Sequence, residues 1–278
     1  MIDRFESEEY GRVIVLQNQT IGISVTQPIA SRVLRIRVVT EDYASSELNS
    51  NVNLMLDRLL GLSVDLTDFY QIAMSDPKIK DLVDRFRGVK PPRFPTVFEA
   101  IVNAFACQQV SLNVGLLLLN RLAKNYGSHI HVNGRDCYSF PAPEKLATLD
   151  YQNIRNLGFS QRKSEYIIET AKLVTKDNFN LEDIDRMSDE EAVEALTQIR
   201  GVGRWTAEYV LLRGAGCLHV FPADDAGGQN SLCNWLHLRQ KPDYGKAIKI
   251  ISRWQPYAGM LYFHFLLHKL SSYENRLF

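Results

Sequence analysis

The chain has 278 residues, 45% hydrophobic and 23% charged, with 32 basic side chains balancing 32 acidic ones for a formal net charge of zero. That length allows two or three packed lobes, and neutrality excludes a protein that coats nucleic acid by bulk charge while leaving room for a local basic face. The N-terminal residues Met1 to Glu6 show no secretory pattern, no apolar run is long enough to span a membrane, and Cys107, Cys137, Cys217 and Cys233 are too scattered for a zinc or redox pair, so reduced thiols are expected.

In chain order, Ile21, Ile23 and Val25 alternate with other residues, as do Leu34, Ile36 and Val38, which predicts half-buried strands. Leu48, Val52, Met55 and Leu59 recur at helical spacing, and Gly61 follows as a stop. Strands followed by a helix suggest a small antiparallel sheet covered on one face. Arg85 to Pro95 is rich in proline and positive charge and reads as a domain boundary, either a solvated linker or a segment whose four basic residues meet phosphates.

Beyond it the pattern is nearly all helical. Thr96 and Glu99 form a capping box ahead of Phe98, Ile101, Val102 and Phe105. A further helix runs through Leu116, Leu119 and Leu122 to Gly127. Ser188 and Glu191 open another, through Val193, Leu196 and Ile199.

That last helix ends at Gly201-Val202-Gly203, and a new one begins with Arg204-Trp205-Thr206-Ala207-Glu208-Tyr209. Glycine at both corners allows positive φ and clears side chains from the outer surface. Amides at the second helix's N-terminus then face outward, where the helix dipole favours an anion. A DNA phosphate fits, gripped without any base being read. About twenty residues on comes Val220-Phe221-Pro222-Ala223-Asp224-Asp225, a turn with two carboxylates.

Hairpin, helix and acidic loop in this order resemble the helix-hairpin-helix DNA glycosylase superfamily, and within it the bacterial 3-methyladenine DNA glycosylase II branch. Cys107-Gln108-Gln109-Val110-Ser111, the Arg85–Pro95 stretch and Trp254-Gln255-Pro256-Tyr257-Ala258 carry the likeness further, over roughly residues 50 to 265. The resemblance implies a mainly α fold: a small N-terminal antiparallel α+β domain (1–90) followed by a two-lobed all-α helix-hairpin-helix glycosylase core (91–278). The hairpin lobe would cover about 110–220, and the second lobe 91–109 plus 221–278.

By the same resemblance Asp225 is the catalytic carboxylate. Breaking an N-glycosidic bond builds positive charge on the sugar. A carboxylate about 4 Å away stabilises that charge by roughly 4 kcal/mol at an effective dielectric near 20, on the order of a thousandfold in rate. Asp224 is expected to fill the plainer role of helix N-cap. Trp205 stands where strand-cutting members carry a Schiff-base lysine, which implies hydrolysis without lyase activity.

Trp205 and Tyr209, four apart on one face, are expected to stack on a flipped cationic base. Gln109 is expected to enter the gap that base leaves. Gly201, Val202, Gly203, Arg204 and Thr206 are the expected phosphate contacts. The resemblance further implies a monovalent cation on the carbonyls of Thr197, Ile199 and Val202, and no iron–sulfur cluster. Ala226 and Leu266 depart from the branch, which has aromatics at both places.

His264 and His268 share a helix face but read as a structural pair. The expected partner is double-stranded DNA with damaged bases, bound by a monomer without membrane association. The location would be cytoplasmic and nucleoid-associated in a prokaryote and nuclear in a eukaryote. An oxidised- or deaminated-base glycosylase and a non-catalytic DNA-binding clamp are the alternatives.

Overall fold

The structure is a computed structural model that describes residues 2–29, 31–40, 45–132, 134–176 and 180–274. Four strands open the chain: β1 (Asp3–Glu6), β2 (Glu9–Leu16), β3 (Gln19–Thr26) and β4 (Arg35–Thr40), paired antiparallel in sequence order. Ser7-Glu8 and Gln17-Asn18 make the first two turns, all four at positive φ, as two-residue hairpins with right-twisted strands require. None of the four is glycine, so the usual hairpin signature is missing and β1 and β2 were not apparent from pattern alone. Ile21, Ile23 and Val25 are buried as expected, whereas Ile36 of the edge strand β4 is 39% exposed.

Helices follow: α1 (Ser46–Leu60), α2 (Thr67–Ser75), α3 (Lys80–Arg85), α4 (Val97–Cys107) and α5 (Leu112–Tyr126). Gly61, at φ +61, ends α1 after the buried face of Leu48, Val52, Leu56 and Leu59. The expected cap of α4 is present in part, the Thr96 hydroxyl accepting from the Glu99 amide at 3.1 Å. In α5 the buried positions are Gly115, Leu118, Leu119, Leu122 and Ala123, so Leu116, read as core, faces out.

A short hairpin then interrupts the helices, β5 (His129–Val132) with β6 (Arg135–Tyr138). It was not expected: four-residue strands are too short for a readable alternation. Their support comes from the far end of the chain, where Val13 joins Ile130 and Cys137 in a small apolar cluster. The remaining helices are α6 (Pro143–Ala147), α7 (Tyr151–Arg155), α8 (Gln161–Val174), α9 (Asp189–Thr197), α10 (Arg204–Val210), α11 (Ala226–Trp235), α12 (Tyr244–Ile251) and α13 (Ala258–Glu274).

Two compact units result, Met1–Leu54 with Val102–Asn180, and Met55–Ile101 with Leu181–Phe278. Residue 90 lies inside the second unit, and the unit boundaries cut α1 and α4. The second unit is built on one apolar cluster that includes Phe69, Leu82, Phe221, Trp254, Tyr262 and Phe265. Residues 85–95 are part of it rather than a solvated linker. The Phe94 amide donates to the Arg213 carbonyl at 2.7 Å, and Arg93 and Arg58 both donate to the Gly214 carbonyl. All four basic side chains of the segment have internal partners: Arg85 on His268, Arg87 on Asp84, Lys90 on the Val64 carbonyl and Arg93 on Gly214.

Candidate active site

The hairpin forms as the sequence implies. Ser188 and Glu191 cap α9 reciprocally, and the helix ends at Thr197. The Val202 amide then donates to the Ile199 carbonyl at 3.0 Å, closing a turn through Gly201, whose φ of +91° suits only glycine. Gly203 is different. It caps α10 at φ −97°, ψ −178°, an extended conformation any residue adopts, and a Cβ there would meet nothing within 4 Å. Neither strain nor packing inside the protein calls for glycine at that exposed position.

Arg204 is exposed, its guanidinium 4.9 Å above the Tyr244 ring. Thr206, expected to donate to a phosphate, is only 1% exposed, and its side chain does not reach the surface. The carbonyls of Thr197, Ile199 and Val202 belong to this turn, and backbone oxygens are the donors a hard cation takes. That chemistry fits the cation the resemblance implies, though the Ile199 oxygen already accepts the Val202 amide.

From α10 the chain passes through one π-helical turn (Leu211–Ala215), stops at Gly216 with φ +86°, and enters the acidic loop. Asp225, not Asp224, is the N-cap of α11: its carboxylate accepts from the Gly228 amide, while Asp224 is exposed one residue too early to reach. The Tyr262 ring of α13 lies beside Asp225, and the pKa of its hydroxyl is pushed far above the usual phenol range by burial and then by the Asp225 charge. Phe221 packs edge-on to Tyr262 at 5.5 Å. Gly228 leaves room for this arrangement, since a Cβ there would lie 3.0 Å from the Tyr262 ring.

The loop's backbone is pinned from both sides at Ala223. Its amide donates to Glu208 Oε2 at 3.1 Å, and its carbonyl accepts from Gln229 Nε2 at 2.8 Å. Glu208 lies on α10, is 7% exposed, and takes a second hydrogen bond from the Tyr244 hydroxyl at 2.8 Å. Burial raises its pKa above the usual carboxylate value, and the bonds from Tyr244 and Ala223 offset part of that rise. Sequence reasoning passed over Glu208, although a lone carboxylate on the buried face of a helix, between Trp205 and Tyr209, was a usable sign. Gln229, Tyr244 and Tyr262 carried no such sign, because their roles depend on contacts 6 to 37 residues away in sequence.

Trp205 and Tyr209 share a face as expected, with ring centroids 5.7 Å apart and planes at 31°. Tyr209 continues to Phe94 at 6.3 Å. The Trp205 indole N–H is buried without a hydrogen-bond partner. Trp205, Tyr209 and Phe94 thus form one aromatic run, while Tyr262 stands beside Asp225. Where Ala226 and Leu266 lack aromatics, Tyr262 brings one to the acid itself.

Gln109 lies in the first unit, exposed, at φ +55° in the turn between α4 and α5. Lys163 of α8 holds that turn, its ammonium donating to the carbonyls of Ala106 at 2.9 Å and Gln108 at 2.7 Å. The two donor bonds satisfy carbonyls left over at the end of α4. His264 is fully buried, bonded to the Met260 carbonyl and packed on Phe69, and no metal-binding group of His, Cys, Asp or Glu occurs among the described residues.

A family model described as HhH-GPD superfamily base excision DNA repair protein matches residues 102–256. The chain is 32% identical over 200 residues to a DNA-3-methyladenine glycosylase of Bacillus subtilis, covering 71% of this chain and 66% of that one. It is 31% identical over 138 residues to DNA-3-methyladenine glycosylase 2 of Escherichia coli, 50% of this chain and 48% of that one. Among solved structures, a 3-methyladenine DNA-glycosylase from Archaeoglobus fulgidus superposes with a TM-score of 0.84 at 29% identity, over 95% of this chain and 88% of that one. The matches take in 66% and 55% of the length of the first two curated relatives.

Proposed function

The chain belongs to the HhH-GPD superfamily of base excision DNA repair proteins, and from that premise we propose that it is a monofunctional DNA glycosylase for alkylated purines of the 3-methyladenine type. It would hydrolyse the N-glycosidic bond of a flipped-out nucleotide in duplex DNA and leave an abasic site. The observation that carries this reading is the Asp225 carboxylate, held by the Gly228 amide beside Tyr262, on the loop that follows the helix bearing Trp205 and Tyr209.

Each part has a physical task. The Gly201–Gly203 turn grips a backbone phosphate. Gln109 fills the stack from which the nucleotide has left. Trp205 and Tyr209 present electron-rich faces to a cationic base, whose charge already makes it a good leaving group. Asp225 opposes the positive charge that develops on the sugar as the bond breaks, and the Gly228 amide holds it still while that happens. An indole at position 205 cannot form a Schiff base, so water takes the sugar carbon.

The test is incubation with methylated duplex DNA followed by alkaline cleavage of abasic sites. Wild type should release base, and Asp225→Asn should be slower by roughly a thousandfold while binding the duplex as before. Asparagine caps helices as well as aspartate does, so the fold should hold. Full activity in Asp225→Asn would remove the catalytic assignment, and a borohydride-trapped adduct would replace the hydrolytic reading with a lyase.

A further inference from the structure

Beside the acid the second unit carries a cleft of about 960 Å³ that no step above uses. One side of it is α11, which contributes Gly227, Asn230, Ser231 and Asn234, a single helical face of small polar residues. Lys78, from the turn between α2 and α3, and Lys269, near the end of α13, also line it. Asp81 is the one carboxylate in the lining, so lysines outnumber acids there. Lys269 is exposed and makes no hydrogen bond or ion pair among the described residues.

Two details say what the cleft is fitted for. It comes close to the catalytic carboxylate: Gly227 lines it, and a Cβ on Gly227 would stand 3.0 Å from Asp225 Oδ2 and 3.6 Å from Lys269 Nζ. It also offers the positive charge of two lysines beside a face of small polar side chains. The Trp235 indole N–H is committed to the Lys78 carbonyl at 2.6 Å, and the Trp235 ring packs edge-on to His268 at 4.9 Å. A DNA strand that delivers one nucleotide to Asp225 continues past it, and its next phosphates need cations within about a nucleotide's length.

We propose that this cleft is a second backbone-phosphate subsite, in which Lys269 and Lys78 take phosphates of the strand next to the nucleotide held at Asp225. The inference rests on the glycosylase reading and adds to the grip of the hairpin.

The experiment is duplex binding at several salt concentrations, with an uncleavable abasic analogue, by wild type, Lys269→Gln and Lys78→Gln. Both side chains are exposed, and melting curves confirm that the variants fold. Each variant should bind several-fold more weakly, with a plot of log K against log salt shallower by about 0.9. If wild type binds and releases base but both variants keep its affinity and salt slope, the subsite is refuted and the glycosylase reading stands. If wild type releases no base yet the variants lose slope, the subsite stands and the glycosylase reading falls. Loss of adenosine monophosphate binding in the variants, with the duplex slope intact, would assign the cleft to a free nucleotide instead and overturn the proposal.

Discussion

Two turns flank α10, and they are held in opposite ways. The hairpin before it is closed by its own backbone, through the Val202 amide and the positive φ of Gly201. The loop after it is held by side chains from the helices around it: Glu208 and Gln229 on Ala223, with Tyr262 packed beside Asp225. The difference follows from what each has to do. A grip on phosphate needs amides presented on a bare surface, which a few local residues can build. A carboxylate that opposes transient charge must not move when that charge appears, and holding it takes groups anchored in the core.

The strongest way to break this contrast is Glu208→Ala. It strips the Ala223 amide and the Tyr244 hydroxyl of their acceptor, which should cost about 1–3 kcal/mol in stability. A loop shifted by about 1 Å should slow base release on the order of 100-fold, seen in single-turnover rates at saturating enzyme. Glu208→Gln keeps one acceptor and should recover much of the rate. If both variants matched wild type, the loop would not depend on its buried support.

Trp205→Ala bears on the helix between the two turns. Lost stacking, worth roughly 1–3 kcal/mol per base, should weaken excision about tenfold or more and duplex binding far less. Equal losses in rate and in filter binding would make Trp205 structural only.

The hairpin glycines sharpen the comparison further. Gly201→Ala forces a side chain to φ +91° and should cost about 1–2 kcal/mol in a denaturant melt. Gly203→Ala has neither a strained φ nor a nearby atom, so the melt should not change. Its DNA affinity should fall all the same, because the added methyl stands on the surface offered to the phosphate. Unchanged affinity would show that nothing approaches Gly203 closely.

The smallest effect concerns the core behind the loop. Burial lowers the pKa of His264, so its contribution to stability is complete above the ordinary histidine value of about 6.5 and is lost as pH falls through the lowered value. Melting temperature should drop between about pH 7 and pH 5 by more in wild type than in His264→Leu. Parallel curves would mean that other groups govern the acid limb.

Legibility in the sequence tracked how local each feature is. The capping box at Ser188 and Glu191, the turn at Gly201 and the pairing of Trp205 with Tyr209 are set by residues within a turn or two, and all were readable. β1 and β2 were not, because non-glycine residues take their positive-φ turns. The cap of α11 was placed one residue early, since Asp224 and Asp225 are chemically alike and only the helix start separates them.

By itself, then, the sequence determined the helical hairpin, the acid-bearing loop and the aromatic pair, because periodicity, capping and glycine act over a few residues. Only the tertiary structure decided which carboxylate is held, by which buried partners, and that Arg93 is spent on Gly214 rather than on a phosphate. The Gly228 bond to Asp225 is local, but Glu208 reaches Ala223 across 15 residues and Arg93 reaches Gly214 across 121. Whether such a group is satisfied inside the protein or left for a ligand is settled by packing, which no local pattern records.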